Sequence, residues 1–162
     1  MSSMAALPQN SQAPDFRLQD TEGEEFHLYS ALESGRVLLT FYKTNCPTCQ
    51  YALPYLDRFQ SLLDGSAAAV TVSQDTPVDV ERFNVEFDYS TKQVFDTEEA
   101  GFEVSNAYGL TNVPTVFLVG RNGRIEHTMV SWSKADVEEL AGKLGVDSPF
   151  QPGEDVLVYK PG

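Results

Sequence analysis

The two cysteines of the chain, Cys46 and Cys49, enclose a Pro-Thr dipeptide. A structural disulfide is not expected here, because a bridge across two residues restrains the unfolded chain very little, and disulfide-stabilised domains carry more cysteines. The pair therefore indicates either redox chemistry or half of a metal site. A zinc site needs about four ligands, and the two histidines, His27 and His127, lie a hundred residues apart with no finger-like spacing. We interpret the cysteines as a redox-active dithiol and expect no metal.

The sequence around the cysteines predicts a strand that runs directly into a helix. Residues 37–42 form a continuous apolar run that is typical of a strand covered on both faces. Pro47 suits the first position of a helix, and residues 51–63 then repeat apolar side chains at helical spacing. Free N–H groups and the helix dipole favour an anion at this end, and so favour the thiolate form of Cys46. Cys49, one turn further, is expected to be more buried and less reactive.

This placement predicts thiol–disulfide exchange. The Cys46 thiolate attacks a target disulfide, a mixed disulfide forms, and Cys49 resolves it. The alternative, two buried cysteines that pack as small apolar residues, is disfavoured by the strand–CxxC–helix context. Pro47 and Thr48 complete the predicted active-site loop: Pro47 lacks an N–H donor, whereas the Thr48 hydroxyl can donate. Both directions of electron flow are compatible with this loop.

Three further polar residues, Lys43, Gln74 and Asp75, follow predicted strands near the dithiol. Lys43 stands three residues before Cys46 and could add positive potential, although an exposed lysine at a strand end explains it more simply. Gln74 and Asp75 follow a predicted strand, where α/β proteins often place polar groups of a site. Capping of the next helix explains Asp75 equally well, so neither residue is assigned a catalytic role.

The rest of the chain alternates between strand and helix patterns. Thr76-Pro77 is typical of a helix start, and the Asn-Gly pair at 122–123 favours a tight hairpin. The order predicts an α/β domain with a central mixed β-sheet and helices on both faces. Further strands are predicted at 26–28, 67–73, 94–95, 116–119 and 125–130, and further helices from Pro77, at 98–108 and from Ser133.

The chain of 162 residues is long enough for one domain, since domains usually have roughly 100–200 residues. We divide it into a flexible N-terminal segment (1–12), the α/β domain (13–147) and a Pro/Gly-rich C-terminal tail (148–162), in which 156–159 are a candidate edge strand. A content of 41% apolar and 22% charged residues is ordinary for a globular domain and disfavours disorder.

The net charge of −13 argues against nucleic acid and anionic membranes as partners, because both require a basic surface. No apolar run approaches the ~20 residues of a transmembrane helix. Residues 1–13 contain neither a basic start nor a sustained apolar stretch, so they do not resemble a secretory signal. We therefore expect a cytoplasmic location without membrane insertion, or a periplasmic one if a leader has been removed.

Four further motifs accompany the dithiol. Together with the strand–CxxC–helix arrangement, they resemble the thioredoxin-like superfamily, and in particular the redoxins of the TlpA/ResA type, which are related to the AhpC/TSA peroxiredoxins. The resemblance spans residues 13–144. Its motifs are APDFRL at 13–18, VSQD at 72–75, AYGLTNVPT at 107–115 and NGRI at 122–125.

The resemblance implies a thioredoxin-like fold and an oxidoreductase that reduces or exchanges protein disulfides. We expect protein thiol or disulfide substrates, an upstream thiol reductant, a monomeric protein, and no cofactor beyond the Cys46–Cys49 disulfide. Pro114 matches the cis-proline beside the dithiol, although only ~5–6% of X-Pro bonds in folded proteins are cis. Val113 is implied to offer backbone hydrogen bonds to a substrate strand. Pro54 matches the proline that kinks the active-site helix.

Three positions depart from the pattern of the superfamily. Thioredoxins carry a buried Asp six residues before the first cysteine, where this chain has Thr40. TlpA/ResA-type proteins often carry a Glu three residues after the second cysteine, where this chain has Ala52, and the Trp that precedes the first cysteine is Asn45. Without either acid, deprotonation of Cys49 is expected to be less assisted.

Two other functions remain as alternatives. A thiol peroxidase of the peroxiredoxin type is less favoured, because those enzymes place a Thr three residues before the peroxidatic cysteine and a Pro four residues before that Thr. Here Lys43 stands three residues before Cys46, and Cys46 three before Cys49. The sequence also leaves open a redox sensor, in which the dithiol switches a surface without catalytic turnover.

Overall fold

The computed structural model describes residues 5–162, which form a central sheet, two short two-stranded sheets and five helices. The described elements begin with β1 (Arg17–Gln19), β2 (Glu25–His27), α1 (Leu28–Leu32), β3 (Arg36–Tyr42), α2 (Pro47–Leu63), β4 (Ala67–Ser73) and α3 (Pro77–Glu86). They continue with β5 (Lys92–Phe95), α4 (Glu103–Ala107), β6 (Thr115–Val119), β7 (Ile125–Val130), β8 (Trp132–Ser133), α5 (Lys134–Leu144) and β9 (Tyr159–Lys160).

The central sheet has the strand order β5-β4-β3-β6-β7 and is mixed, as predicted. β3 is parallel to β4, with Tyr42 opposite Ser73, and antiparallel to β6, with Phe41 opposite Thr115. The carboxyl ends of β3 and β4 and the amino end of β6 therefore meet at one edge of the sheet. This edge brings together the cysteine loop, the loop after β4 and the loop before β6.

Apolar side chains fill both faces of this sheet. Leu38 and Tyr42 of β3 belong to a core with residues of α2, α3 and α5. Leu39 and Phe41 point to the opposite core, which contains residues of α1 and α4. The alternation follows from the period of two along a strand, and it confirms that helices cover both faces.

Helix α2 begins and ends where the sequence predicts. Cys46 is its N-cap, and Pro47 occupies the first turn. Asp64 adopts a left-handed conformation with φ of 44°, which ends the helix. Pro54 lies inside α2, as the resemblance implies. Both ends of α2 could be predicted because Pro47 and Asp64 act through local backbone conformation and need no distant partner.

The helix predicted at 98–108 is wrong in extent, because α4 covers only Glu103–Ala107. Gly101 and Phe102 have φ values of 71° and 51°, and a right-handed helix cannot continue through such residues. The buried carboxylate of Asp96 accepts two backbone N–H groups at the start of the shortened helix. Residues 98–102 form turns instead of helix, and residues 98–101 are exposed.

The N-terminal segment, predicted to be flexible over 1–12, is hydrogen-bonded to the domain from its first described residues onward. Leu7 donates its N–H to the carbonyl of Tyr108 at 3.1 Å, and further backbone bonds join the segment to the β6–β7 hairpin. Polar composition did not reveal these bonds, since their partners lie about a hundred residues further along the chain. Residues 1–4 lie outside the described structure.

The C-terminal tail, residues 148–162, crosses back over α2, and we call it the strap. Its β9 pairs with β8, so the edge strand predicted at 156–159 forms slightly later than expected. The indole N–H of Trp132 donates to the carbonyl of Leu157 at 2.7 Å. The tail is therefore part of the folded structure and brings its last residues to the cysteine loop.

Across residues 5–162, no helix has both the length and the apolar character needed to cross a bilayer. The longest helix is α2, with 17 residues.

Candidate dithiol active site

Cys46 lies at the N-terminus of α2 and is half-buried. Its Sγ accepts a hydrogen bond from the backbone N–H of Cys49 at 3.2 Å. The same sulfur lies 3.5 Å from the carbonyl oxygen of Val113, to which the thiol donates. Loss of the thiol proton removes this donor, while the N–H of Cys49 continues to stabilise the sulfur as an anion. The arrangement suits Cys46 as the attacking nucleophile.

Cys49 lies behind Cys46 and is fully buried. Burial is the main reason that the pKa of its thiol is raised well above 9.0, and the hydrogen bond with Cys46 adds to the effect. The nearby backbone of Lys43 acts in the opposite direction. Thr40 and Ala52 are also buried and bring no carboxylate to the site. Cys49 therefore suits the resolving role, and neither Thr40 nor Ala52 can take up its proton as a carboxylate would.

Asp75 is a candidate functional residue that the sequence analysis set aside. Its carboxylate accepts the backbone N–H of Thr44 at 2.7 Å, which joins the loop after β4 to the cysteine loop. Helix α3 is capped by Thr76 instead, whose hydroxyl accepts the N–H of Asp79 at 3.3 Å. The charge of Asp75 is one of the causes that raise the pKa of Cys49. The sequence signal that could have identified Asp75 as a site residue was its position directly after β4, the strand that pairs with β3.

The side chains of Gln74 and Lys43 lie beside the dithiol. Both line a small cavity of about 150 Å³ next to Val113. Lys43 is exposed at the end of β3, and its carbonyl accepts the N–H of Cys46 at 3.3 Å. Lys43 therefore contacts the cysteine loop through its backbone.

The loop before β6 supplies the other wall of the site. The Val113–Pro114 peptide bond is cis, as the resemblance implies, and Pro114 is buried. Pro47 is exposed in the first turn of α2, whereas Thr48 is 3% exposed. The loop places the Val113 carbonyl over Cys46. All six residues predicted for the site therefore converge on one edge of the sheet, although their roles toward a substrate stay predictions.

The strap reaches this edge, which the sequence analysis did not anticipate. The hydroxyl of Thr48 donates to the carbonyl of Pro161. The side-chain amide of Asn112 donates to the carbonyl of Gly162 at 3.0 Å, and the Gly162 N–H donates to the hydroxyl of Ser131 at 3.0 Å. Residues 161–162 therefore lie between the N-terminus of α2 and the loop before β6.

Within residues 5–162, one cluster of imidazole and carboxylate groups has the ligand types of a metal site, and it does not include the cysteines. The buried ring of His127 lies 3.0 Å from a carboxylate oxygen of Asp136 and 3.1 Å from one of Glu139. The ammonium group of Lys143 lies 3.2 Å from Nδ1 of the same ring. Lys143 already places a positive charge against these groups, which disfavours a bound cation.

Comparison with known proteins identifies the family of the chain. It matches the AhpC/TSA family over residues 10–128. The thiol-disulfide oxidoreductase ResA of Geobacillus thermodenitrificans is 31% identical over 138 residues, which are 83% of this chain and 76% of the relative. The chain belongs to the AhpC/TSA family and is a redoxin of the TlpA/ResA type.

Solved structures confirm the thioredoxin-like fold. The thioredoxin domain of a thiol-disulfide oxidoreductase from Bacteroides vulgatus superposes with a TM-score of 0.74 at 23% identity, covering 85% of this chain and 98% of that chain. A protein from Chlorobium tepidum, described as the thiol:disulfide interchange protein DsbE, gives 0.74 at 26% identity and covers 86% and 96%. Because one fold can host several activities, the function is argued from the dithiol itself.

Proposed function

We propose that this chain is a thiol–disulfide oxidoreductase whose Cys46–Cys49 dithiol exchanges electrons with disulfides in protein clients. The observation that carries the proposal is the division between the two thiols: Cys46 is partly exposed at a helix N-terminus, and Cys49 is buried and donates its N–H to the Cys46 sulfur. The oxidoreductase class agrees with the ResA relatives and with the CxxC motif on this fold.

The reaction proceeds in two exchanges. The Cys46 thiolate attacks one sulfur of a client disulfide, the client S–S bond breaks, and the departing client sulfur takes up a proton. Cys49 then loses its proton and attacks the Cys46 sulfur, which releases the second client thiol and leaves a Cys46–Cys49 disulfide. Two electrons pass from the protein to the client. A dithiol reductant returns the protein to its starting state by the same steps in reverse order.

The partners and compartment belong to the same proposal. Because the attacking and resolving thiols lie in one chain, a monomer can complete turnover, and the redox-active disulfide is the only cofactor it needs. An upstream thiol reductant supplies the electrons. The cytoplasmic location stays a prediction, and fractionation of cells that express the protein tests it. A reducing cytosol favours the reductase direction.

Turnover of insulin disulfides with excess dithiothreitol tests the function. We expect catalysis by the parent protein, loss of catalysis in Cys46→Ser, and a trapped mixed disulfide with the client in Cys49→Ser. Asn45→Ala is a matched control, since Asn45 is exposed beside the dithiol. A rate equal to the dithiothreitol blank would reject reduction of protein disulfides. A Cys46-dependent consumption of peroxide in that case would favour the peroxidase alternative.

A further inference from the structure

The end of the strap lies in a cradle that binds main-chain groups. Two donors, the Thr48 hydroxyl and the Asn112 amide, contact the carbonyls of Pro161 and Gly162. One acceptor, the Ser131 hydroxyl, contacts the Gly162 N–H at 3.0 Å. Each contact addresses a backbone group of the strap and none addresses a side chain. A cradle of this kind can hold an extended peptide of other sequence in the same way.

The end of the strap also borders the nucleophile, Cys46. Gly162 lies so close to the loop before β6 that a Cβ added to it would overlap the carbonyl oxygen of Val113 and contact Pro114. That carbonyl oxygen is the one that faces the Cys46 sulfur at 3.5 Å. A polypeptide whose disulfide approaches Cys46 along this wall must therefore occupy the space of Gly162.

The stem of the strap (residues 148–160) is anchored by contacts separate from those that hold its tip (residues 161–162). Arg58 makes two hydrogen bonds with the carboxylate of Glu154, at 2.8 and 2.9 Å. The N–H of Leu157 donates to the hydroxyl of Tyr51 at 2.8 Å. Residues 161–162 are exposed, and their hydrogen bonds go to other partners, Thr48, Asn112 and Ser131. The tip can thus leave the cradle without unfolding the stem.

We propose that residues 161–162 determine substrate specificity by occupying, within the same chain, the main-chain cradle that an extended polypeptide client uses beside Cys46. The inference rests on the proposed function and adds that the tip discriminates polypeptide disulfides from small disulfides. Small disulfides reach the half-buried Cys46 with the strap in place. Polypeptide disulfides bind only after the tip is displaced, so their apparent affinity is reduced by the fraction of molecules in which the cradle is free.

A variant that ends at Lys160 tests the inference, because it removes the tip and keeps β9. The reduced protein is mixed with either insulin or bis(2-hydroxyethyl) disulfide, and the loss of its free thiols gives a second-order rate for each. If the tip fills the cradle about nine-tenths of the time, its removal raises the insulin rate about tenfold. The rate with the small disulfide should change less than twofold. Gly162→Ala should shift the ratio in the same direction, and Gln151→Ala, an exposed change in the stem, should not.

A second measurement separates this inference from the proposed function. Cys46 is alkylated with iodoacetamide and with a maleimide on a long polyethylene glycol chain, which needs no disulfide substrate. We expect the truncated variant to react faster with the large reagent only. Equal changes with both reagents, equal changes with both disulfides, or no change at all would overturn the specificity role. If no form of the protein reduces disulfides but the difference in alkylation is present, the proposed function is rejected. The occupation of the cradle by residues 161–162 is then still supported.

Discussion

The carboxylate of Asp75 accepts a hydrogen bond from the backbone N–H of Thr44, 31 residues earlier in the chain. This bond fixes the loop after β4 against the loop that carries Cys46. It also places a negative charge near the buried thiol of Cys49, which opposes formation of a second negative charge there. Asp75 therefore influences the resolving step through position and charge.

Asp75→Asn should make Cys49 more acidic. The asparagine oxygen can still accept the N–H of Thr44, so the loop contact is kept while the charge is removed. Without the charge, the pKa of Cys49 falls, and the acid dissociation constant should rise several-fold. Thiolate absorbance followed during a pH titration of the Cys46→Ser variant measures the change. Slower resolution in Asp75→Asn would instead indicate that Asp75 accepts the Cys49 proton.

The resolving step should accelerate with pH well beyond neutrality. Because burial raises the pKa of Cys49 above 9.0, the reactive thiolate is a small fraction at neutral pH. That fraction, and with it the rate, grows about tenfold per pH unit until the pKa is approached. Release of a peptide from a preformed mixed disulfide with Cys46, followed by rapid mixing, gives this profile. A plateau near neutral pH would contradict unassisted deprotonation.

Alkaline pH should destabilise the fold through three buried tyrosines. Burial raises the pKa of Tyr42, Tyr89 and Tyr108 far above the ordinary value of 10.0. Above pH 10 the unfolded chain loses these protons and the folded chain keeps them, so stability is present below that pH and lost as pH rises. Each tyrosine contributes a loss of about 1.4 kcal/mol per pH unit.

Urea unfolding at a series of alkaline pH values measures this loss, with both cysteines replaced by serine to remove their titration. Tyr108→Phe should reduce the slope by about a third. Tyr159→Phe, at a tyrosine that is 60% exposed, is the control and should leave the slope unchanged. Equal slopes in all three proteins would contradict the prediction.

Acid should loosen the stem of the strap. Hydrogen bonds from Arg58 lower the pKa of Glu154 to about 2 from an ordinary value of 4.5. The ion pair therefore stabilises the strap above pH 4.5, and its contribution is lost as pH falls toward 2. Glu154→Gln should increase hydrogen exchange in residues 148–162 at neutral pH, measured by mass spectrometry. Glu99→Gln removes the same charge at an exposed position outside the strap and should not.

The nucleophile and its helix could be predicted from the sequence because their signals are local. Pro47 at the first helical position and the apolar run of β3 lie within ten residues of Cys46. The order of elements then sufficed for a mixed sheet with helices on both faces. The helix at 98–108 was predicted too long, since the sequence pattern does not register the left-handed conformation of Phe102.

Contacts between distant segments could not be predicted in the same way. Thr48 meets Pro161 across 113 residues, and nothing in a Pro-Gly pair indicates which hydroxyl will contact it. For Asp75, capping of the next helix was an equally simple explanation, whereas the structure confirms the predicted helix start at Thr76, which is the cap. Sequence patterns predict which groups are polar, whereas the partners of those groups depend on the topology of the sheet.

The packing of Trp132 gives the protein an optical probe of its own strap. It is the single tryptophan of the chain and is fully buried. Its ring packs against Phe150 with centroids 5.9 Å apart, and its N–H binds the carbonyl of Leu157. Lifting of the stem would expose the indole to water and shift its emission to longer wavelength. Movements of the strap during turnover can therefore be followed by fluorescence in the unlabelled protein.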